Sequence, residues 1–311
     1  MTAHARYVVA DAVSFMAGLP EGCIAAVVTS PPYYAGKEYE RDLSLAQYRQ
    51  LIADFVTQSV RVLRPGGWLC VNIGQTPVRT AEGPRQLLTQ HIIPCLMYAE
   101  GLLLDADIVW DKVAPTAGVG TRMFGSYPYP GRLLVCYGHE YILRGRKPGR
   151  TVVPTSARKA SVLSYDEWNT WCRGMWSDIP TWGRGRRKHP AEFQTEVPYR
   201  LIRMCTYQGD LVLDPFVGSG TTLAAAALCR RNSIGVDNHD SYYRLARDRF
   251  NSTELLGIAD LRRSDSPAGA LRDARHTRDG RCDPDDAGLR AEDAAAGDAE
   301  RGHAAVLCGE G

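Results

Sequence analysis

No C-x-x-C pair occurs in this sequence, although it holds nine cysteines: Cys23, Cys70, Cys95, Cys136, Cys172, Cys205, Cys229, Cys282 and Cys308. An odd number of scattered thiols excludes a disulfide scaffold and a tetrahedral zinc site, and reads as mostly buried thiols in a reducing compartment. No apolar run approaches the roughly 18 to 20 residues that span a bilayer, and Met1 to Ala10 has no basic-then-apolar signal segment. The expected location is cytoplasmic, without membrane contact. No aromatic residue follows Phe250, and from Leu261 onward Ala, Gly, Asp and Arg dominate. Such a composition buries too little apolar area to offset ordering entropy, so 261–311 is expected to be a disordered tail. No Lys follows Gly220, which removes the G-x-x-x-x-G-K-[ST] nucleotide-triphosphate loop, and no H-x-E with P-C-x-x-C is present, which removes zinc deamination. No metal is expected.

What is there suits a globular chain. The 311 residues are 44% hydrophobic and 23% charged, enough for one large core carrying an insertion or a second small domain. Charge is unevenly placed. Eleven Lys/Arg against three acids lie between Arg144 and Pro190, a net of +8, so the rest of a chain carrying +2 sums to −6. Four of the six tryptophans, Trp168, Trp171, Trp176 and Trp182, fall in the same stretch. Cations interleaved with flat aromatics suit a phosphate backbone and unstacked bases; a solvated basic surface on a Trp-cored subdomain is the alternative.

Alternating elements predict an α/β sheet. Tyr7 to Asp11 and Cys23 to Thr29 read as apolar strands. Leu45, Tyr48, Ile52, Phe55, Ser59 and Val62 recur at spacings of three and four, giving one helical face that Arg64-Pro65-Gly66-Gly67 ends. Trp68 to Ile73 is a strand, Arg85 to Glu100 a helix, and Leu102 to Trp110 and Leu133 to Leu143 are strand material. Downstream, Leu211 to Asp214 reads as a strand, Pro215 to Gly220 as a tight loop, Thr221 to Cys229 as a helix and Ser233 to Asp237 as the next strand. The basic segment between then becomes an insertion between two halves of one sheet.

The loop Asp214-Pro215-Phe216-Val217-Gly218-Ser219-Gly220-Thr221-Thr222 lies where a strand turns into a helix, so its glycines let backbone approach a ligand. Asp237 follows Gly218 by nineteen residues, close to the spacing of an acid that binds ribose hydroxyls. Together they point to a nucleoside-containing cofactor. Leu223 replaces the third glycine of the dinucleotide fingerprint, which disfavours NAD. The second loop, Thr29-Ser30-Pro31-Pro32-Tyr33-Tyr34, leaves a strand with two donors removed by proline, so its carbonyls only accept. A Ser hydroxyl and a proline carbonyl beside an aromatic ring suit an exocyclic amine on an extruded base.

The early Ser30-Pro31-Pro32-Tyr33 and the late Phe216-Val217-Gly218-Ser219-Gly220 together resemble the S-adenosylmethionine-dependent amino-methyltransferases of DNA, in the circularly permuted class with catalytic motif before cofactor motif. Asp11-Ala12, Arg61 to Gly67, Ile108 to Lys112, His139 to Leu143 and His189 to Phe193 extend the likeness over about 7–250. The resemblance implies a Rossmann-like methyltransferase sheet and divides the chain into a catalytic half (1–111), a target-recognition insertion (112–188), a cofactor half (189–260) and the tail. It also implies that Gly218, Gly220 and Thr221 cradle the methionine part of S-adenosyl-L-methionine, with Asp214 and Phe216 as further cofactor-binding residues, that Asp237 binds its ribose, and that Asp11 lies near its adenine. Ser30, Pro31 and Tyr33 become the catalytic set, with Pro32 holding the turn. Ser-Pro-Pro-Tyr favours cytosine N4 in duplex DNA, with adenine N6, or a non-catalytic DNA-binding protein of the same fold, as alternatives. Arg184, Arg186, Arg187 and Lys188 would then clamp phosphates. A restriction endonuclease of the same site is left open as a further partner. Carbon-5 methylation would need a cysteine nucleophile, and Pro94-Cys95, inside an apolar helical run, reads as structural.

Overall fold

The computed structural model describes residues 3–34, 43–80, 83–112, 138–179, 194–251 and 259–275. Arg184, Arg186, Arg187 and Lys188, the segment 113–137 and residues 276–311 lie outside them.

The chain opens with β1 (Ala3–Val9), α1 (Ala12–Ala17) and β2 (Ile24–Thr29), then α2 (Leu45–Val62) and β3 (Leu63–Ile73). β4 (Thr76–Thr80) and β5 (Gly83–Leu87) form a small hairpin ahead of α3 (Thr89–Ala99), where the sequence pattern suggested helix from Arg85. β6 (Leu103–Leu104), β7 (Ile108–Asp111), β8 (His139–Arg146), α4 (Thr155–Ala160), α5 (Tyr165–Trp171) and β9 (Met175–Trp176) follow. The last third holds α6 (Glu196–Cys205), β10 (Leu211–Asp214), α7 (Thr221–Leu228), β11 (Asn232–Asp237), α8 (Asp240–Phe250), β12 (Ala259–Ser264) and α9 (Pro267–Arg275).

One large sheet runs in the order β12-β1-β11-β10-β2-β3-β8-β7-β9, with β6 also paired to β8. The first six are mutually parallel, and β8 runs antiparallel to β3 and β7. Parallel strands are covered on both faces, so β2 is buried at every position. On one face α1, α2, α3 and α9 pack Phe15, Ile52, Phe55, Ile93 and Leu271 against Val27, Leu69 and Leu213. On the other, α6 and α7 pack Leu201, Ile202, Ala225 and Ala226 against Val28 and Val212. The α2 pattern read from sequence holds: Tyr48, Ile52, Phe55, Ser59 and Val62 are buried, and Ser44 with Gln47 forms a capping box at its start.

Three expectations change. The tail does not begin at 261: β12 pairs in parallel with β1 along its whole length, and α9 buries Ala270 and Leu271 on the sheet. An open β1 edge supplies backbone partners that compensate for poor side-chain content. Residues 112–188 are not a separate insertion throughout, because β8 sits inside the sheet between β3 and β7. Of the clustered tryptophans, Trp171 and Trp176 are core residues, with Arg200 over the rings of both, while Trp168 is exposed. Among the cysteines, Cys70, Cys205 and Cys229 are buried, but Cys95 and Cys172 are exposed.

Candidate active site

β10 and β2 are neighbours at the middle of the sheet, although more than 180 residues separate them in sequence. From β10 the chain passes through α7 to β11 on one side; from β2 it passes through α2 to β3 on the other. A crevice opens at the carboxyl ends of strands where the winding diverges in this way, and both sequence motifs sit there.

A hydrogen bond joins the two motif strands: Thr29 Oγ1 donates to Asp214 Oδ1 at 2.6 Å. That same carboxylate oxygen accepts the Phe216 N–H at 3.0 Å and so folds the first turn of the glycine loop. Asp214 is 1% exposed, and burial pushes its carboxyl up to about 6 despite these donors. The Phe216 ring packs edge-on to Phe55 of α2 at 5.3 Å between centroids. Gly220 adopts φ +81°, and a Cβ there would sit 2.8 Å from Ala246, so only glycine fits before the buried Thr221 opens α7. Gly218, at φ +48°, donates its N–H to Asp237 Oδ2 at 3.1 Å, and its carbonyl accepts the Tyr7 hydroxyl at 2.9 Å.

Asp237 closes β11, the strand beyond β10. Its other oxygen accepts the His239 N–H at 2.8 Å. Burial raises this carboxyl, against the pull of the two backbone donors. Asp11 follows β1, where Ala10 N–H bonds the Asp237 carbonyl at 3.0 Å; its carboxylate caps α1 by accepting from Ser14 N–H at 2.8 Å. All seven residues expected to hold a cofactor thus lie along three adjacent strand ends.

The Ser-Pro-Pro-Tyr loop occupies the next strand end. Ser30 Oγ lies 3.0 Å from Tyr33 Oη, and Pro31 is buried. The Pro32 carbonyl accepts the Tyr48 hydroxyl of α2 at 3.0 Å, which fixes the turn. Tyr34 takes φ +60°, uncommon for an aromatic residue, and its ring packs on Tyr48 at 5.1 Å. Gly74, just past β3, lets Tyr33 lie against bare backbone: a Cβ there would be 2.9 Å from Tyr33 Cε2.

Three residues without an assigned role in the sequence reading complete this end. Asn72 Nδ2 donates to Tyr33 Oη at 3.0 Å and to Glu140 Oε2 at 2.7 Å, and Lys112 Nζ pairs with Glu140 Oε1. Burial opposes ionisation of Glu140, yet the Lys112 ammonium beside it, with Asn72 and Tyr33 as donors, holds its carboxyl below the ordinary range. The available signal was a polar Asn72 inside an otherwise apolar strand end.

A cavity of about 370 Å³ bounded by Asp105, Asp107, Arg144, Trp168 and Arg173 borders strand positions near the opposite ends of the sheet and belongs to no part of this crevice.

Comparison with known proteins agrees with this geometry. Residues 24–248 match the N6/N4 methyltransferase family model, described as DNA methylase. The chain belongs to that family. Among DNA methylases of this family, it is similar to type II methyltransferase M.MthZI of Methanothermobacter thermautotrophicus, 32% identical over 267 residues, 76% of this chain and 74% of the relative. It is also similar to type II methyltransferase M.BglI of Bacillus subtilis, at 27% identity over 76% of this chain and 82% of the relative. Among solved structures, TTHA0409 of Thermus thermophilus, described as a DNA modification methylase and complexed with S-adenosyl-L-methionine, is 30% identical with a TM-score of 0.67. The match covers 84% of this chain and all of that one. The cytosine-N4-specific PvuII DNA methyltransferase shares the fold, with a TM-score of 0.60 over 89% of this chain and 95% of that one, at 19% identity.

Proposed function

We propose that this DNA methylase transfers a methyl group from S-adenosyl-L-methionine to the exocyclic N4 of a cytosine in duplex DNA. The observation that carries the reading is the placement of Ser30, a neutral hydroxyl bonded to Tyr33, one strand away from the glycine loop.

The donor fits the residues present. Gly218 and Gly220, at φ +48° and +81°, carry the loop through turns that favour glycine, a Cβ at Gly220 would meet Ala246 of α8, and Asp237 offers a carboxylate to ribose hydroxyls. Asp214 shapes the loop through Phe216, and Thr221 starts the helix behind it. Bound there, S-adenosyl-L-methionine supplies an electrophilic methyl group. Asp11 flanks Asp237 on the side assigned to the adenine.

The chain's own residues act on the amine. The N4 lone pair is delocalised into the ring, which makes it a poor nucleophile. Ser30 Oγ and the Pro31 carbonyl each accept one N–H, which favours a more tetrahedral nitrogen with its lone pair directed at the methyl group. Acceptors aimed at the positive charge that develops on N–H stabilise the transition state, and alignment of amine and methyl contributes several kcal/mol more. Tyr33 stacks on the extruded base, Pro32 keeps the turn rigid, and no covalent enzyme intermediate is involved. Arg184, Arg186, Arg187 and Lys188 hold duplex phosphates.

Nucleoside mass spectrometry of varied duplex DNA treated with the purified protein and S-adenosyl-L-methionine tests this reading. N4-methylcytosine is the expected product. N6-methyladenine alone would overturn the cytosine assignment, and neither product would overturn the transfer itself.

A further inference from the structure

β3, β8 and β7 are consecutive in the sheet, and at the carboxyl edge they bring Asn72, Glu140 and Lys112 together behind the Ser-Pro-Pro-Tyr loop. The side chain of Glu140 is 13% exposed and that of Lys112 29%, while Asn72 is fully enclosed at 1%. Lys112 Nζ also lies 4.6 Å from the centre of the buried Trp110 ring. Lys112 is thus held between the Trp110 ring and the Glu140 carboxylate.

We propose that Asn72, Glu140 and Lys112 are positioning residues that fix the direction of the hydrogen bonds at Tyr33, and through it turn the Ser30 hydroxyl into a pure acceptor toward the target amine. This rests on the reading of Ser30 as the group that accepts the amine N–H.

The direction follows from counting hydrogens. A carboxylate only accepts, so the Asn72 atom 2.7 Å from Glu140 Oε2 is its amide nitrogen. The second hydrogen of that nitrogen points at Tyr33 Oη, 3.0 Å away, which makes the phenol oxygen an acceptor there. Tyr33 has one hydrogen left to donate. The main-chain carbonyl of Asn72 lies 3.5 Å from Tyr33 Oη, at the limit of a hydrogen bond, and the Glu140 carboxylate draws the same hydrogen electrostatically, so it turns toward Asn72 and Glu140 and away from Ser30. The 3.0 Å contact between Ser30 Oγ and Tyr33 Oη is then made by the serine hydrogen. Ser30 is left with only lone pairs to offer.

Two consequences follow. A base carrying an exocyclic amine is rewarded at Ser30, whereas a keto oxygen in the same place meets lone pairs and no donor, so thymine and uracil are refused. Lys112 also keeps Glu140 ionised and therefore a weak base at neutral pH, which makes this network a frame and not the destination of the amine proton. Among the described residues, the titratable and charged groups around Glu140 are Lys112, from the β7 end, and Tyr33, from the catalytic loop. Its β8 neighbours His139 and Tyr141 contact each other, and Asp111 pairs in register with His139.

The test uses the full chain, S-adenosyl-L-methionine and a duplex bearing its mapped site, and compares Ser30→Ala, Glu140→Gln, Tyr33→Phe, Lys112→Met and the Tyr33→Phe, Glu140→Gln double variant. Glu140→Gln should lower kcat at least about tenfold, with cofactor Kd unchanged. In the Tyr33→Phe background the same substitution should cost less than about twofold, because the path to Ser30 is already cut. Lys112→Met should give a kcat that falls as pH drops from about 8 to 6, since Glu140 loses the cation that keeps it charged. Parental kcat in Glu140→Gln, or equal losses in both backgrounds, overturns the proposal. Should Glu140→Gln not fold, a Lys112→Met pH profile superimposed on the parent's overturns it instead. Parental turnover in Ser30→Ala removes the reading of Ser30 itself, whereas an inactive Ser30→Ala beside an unaffected Glu140→Gln removes only the frame.

Discussion

Two carboxylates and one hydroxyl, placed at neighbouring strand ends, divide the work of the crevice. The proposed assignment gives Ser30 to the chemical step and Asp237 to the donor, so their substitutions should separate. Ser30→Ala should lower kcat by two orders of magnitude or more, corresponding to about 3 kcal/mol of lost transition-state bonding, with cofactor Kd unchanged by calorimetry. Asp237→Ala should weaken cofactor binding first, because it also releases the Gly218 N–H that shapes the loop. Asp214 offers a test by pH. Its native carboxyl is raised to about 6, above the ordinary value of about 3.9, so the native state favours the neutral form. The sign follows: stability from this group is fully present below about pH 4 and is lost as pH rises through about 6, a change of about 3 kcal/mol. Denaturant titrations should therefore find Asp214→Asn gaining on the parent between pH 4 and 8, and a pH-independent difference would contradict the burial argument.

Elements built from local pattern were legible before the structure, and elements built from distant pairing were not. α2 announces itself through one apolar stripe and a Pro-Gly-Gly stop, and β2 and β10 through unbroken apolar runs that only a doubly covered strand accommodates. The glycine loop and the Ser-Pro-Pro-Tyr loop were likewise legible, because each follows such a strand directly. The frame of Asn72, Glu140 and Lys112 was not, since three strands far apart in sequence have to meet before their side chains form one group. β12 was missed for the same reason: Ala259 to Ser264 carries little apolar content, and its stability comes from the β1 edge. A chain ending at 275 should keep the parental melting temperature and specific activity. One ending at 258 loses β12 and α9, strips Leu271 from the core, and should melt at least about 5 °C lower. Burial of a leucine contributes about 2 kcal/mol, and 1 kcal/mol moves Tm by about 2 to 4 °C in a chain of this size. Equal melting of the two truncations, measured by calorimetry, would show that β12 and α9 add nothing to the fold.

On the scale of the molecule, charge is partitioned: the stretch from Arg144 to Pro190 is strongly basic and the remainder acidic. Part of that basic charge is consumed internally. Arg144 pairs with Asp105 and lies over the Trp68 ring, and Lys147 donates to the carbonyls of Val60 and Leu63. These cations anchor the end of β8 to the start of β3, so they are poor candidates for phosphate. The run Arg184-Gly185-Arg186-Arg187-Lys188 concentrates four cations in five positions, and it is the proposed clamp on duplex DNA. Replacing all four with neutral residues should weaken duplex binding and flatten its dependence on salt, because every cation withdrawn from a phosphate takes about 0.9 off the log–log slope. If all four touch phosphate, the slope falls by about 3 to 4 units; a solvated patch would change it by almost nothing. Cofactor affinity should stay at the parental value, since the crevice is built at the ends of β1, β11, β10 and β2. Fluorescence anisotropy over a salt series reads the slope directly. An unchanged slope in a folded variant would move the phosphate-binding cations away from 184–188 and require a search of 113–137 for them.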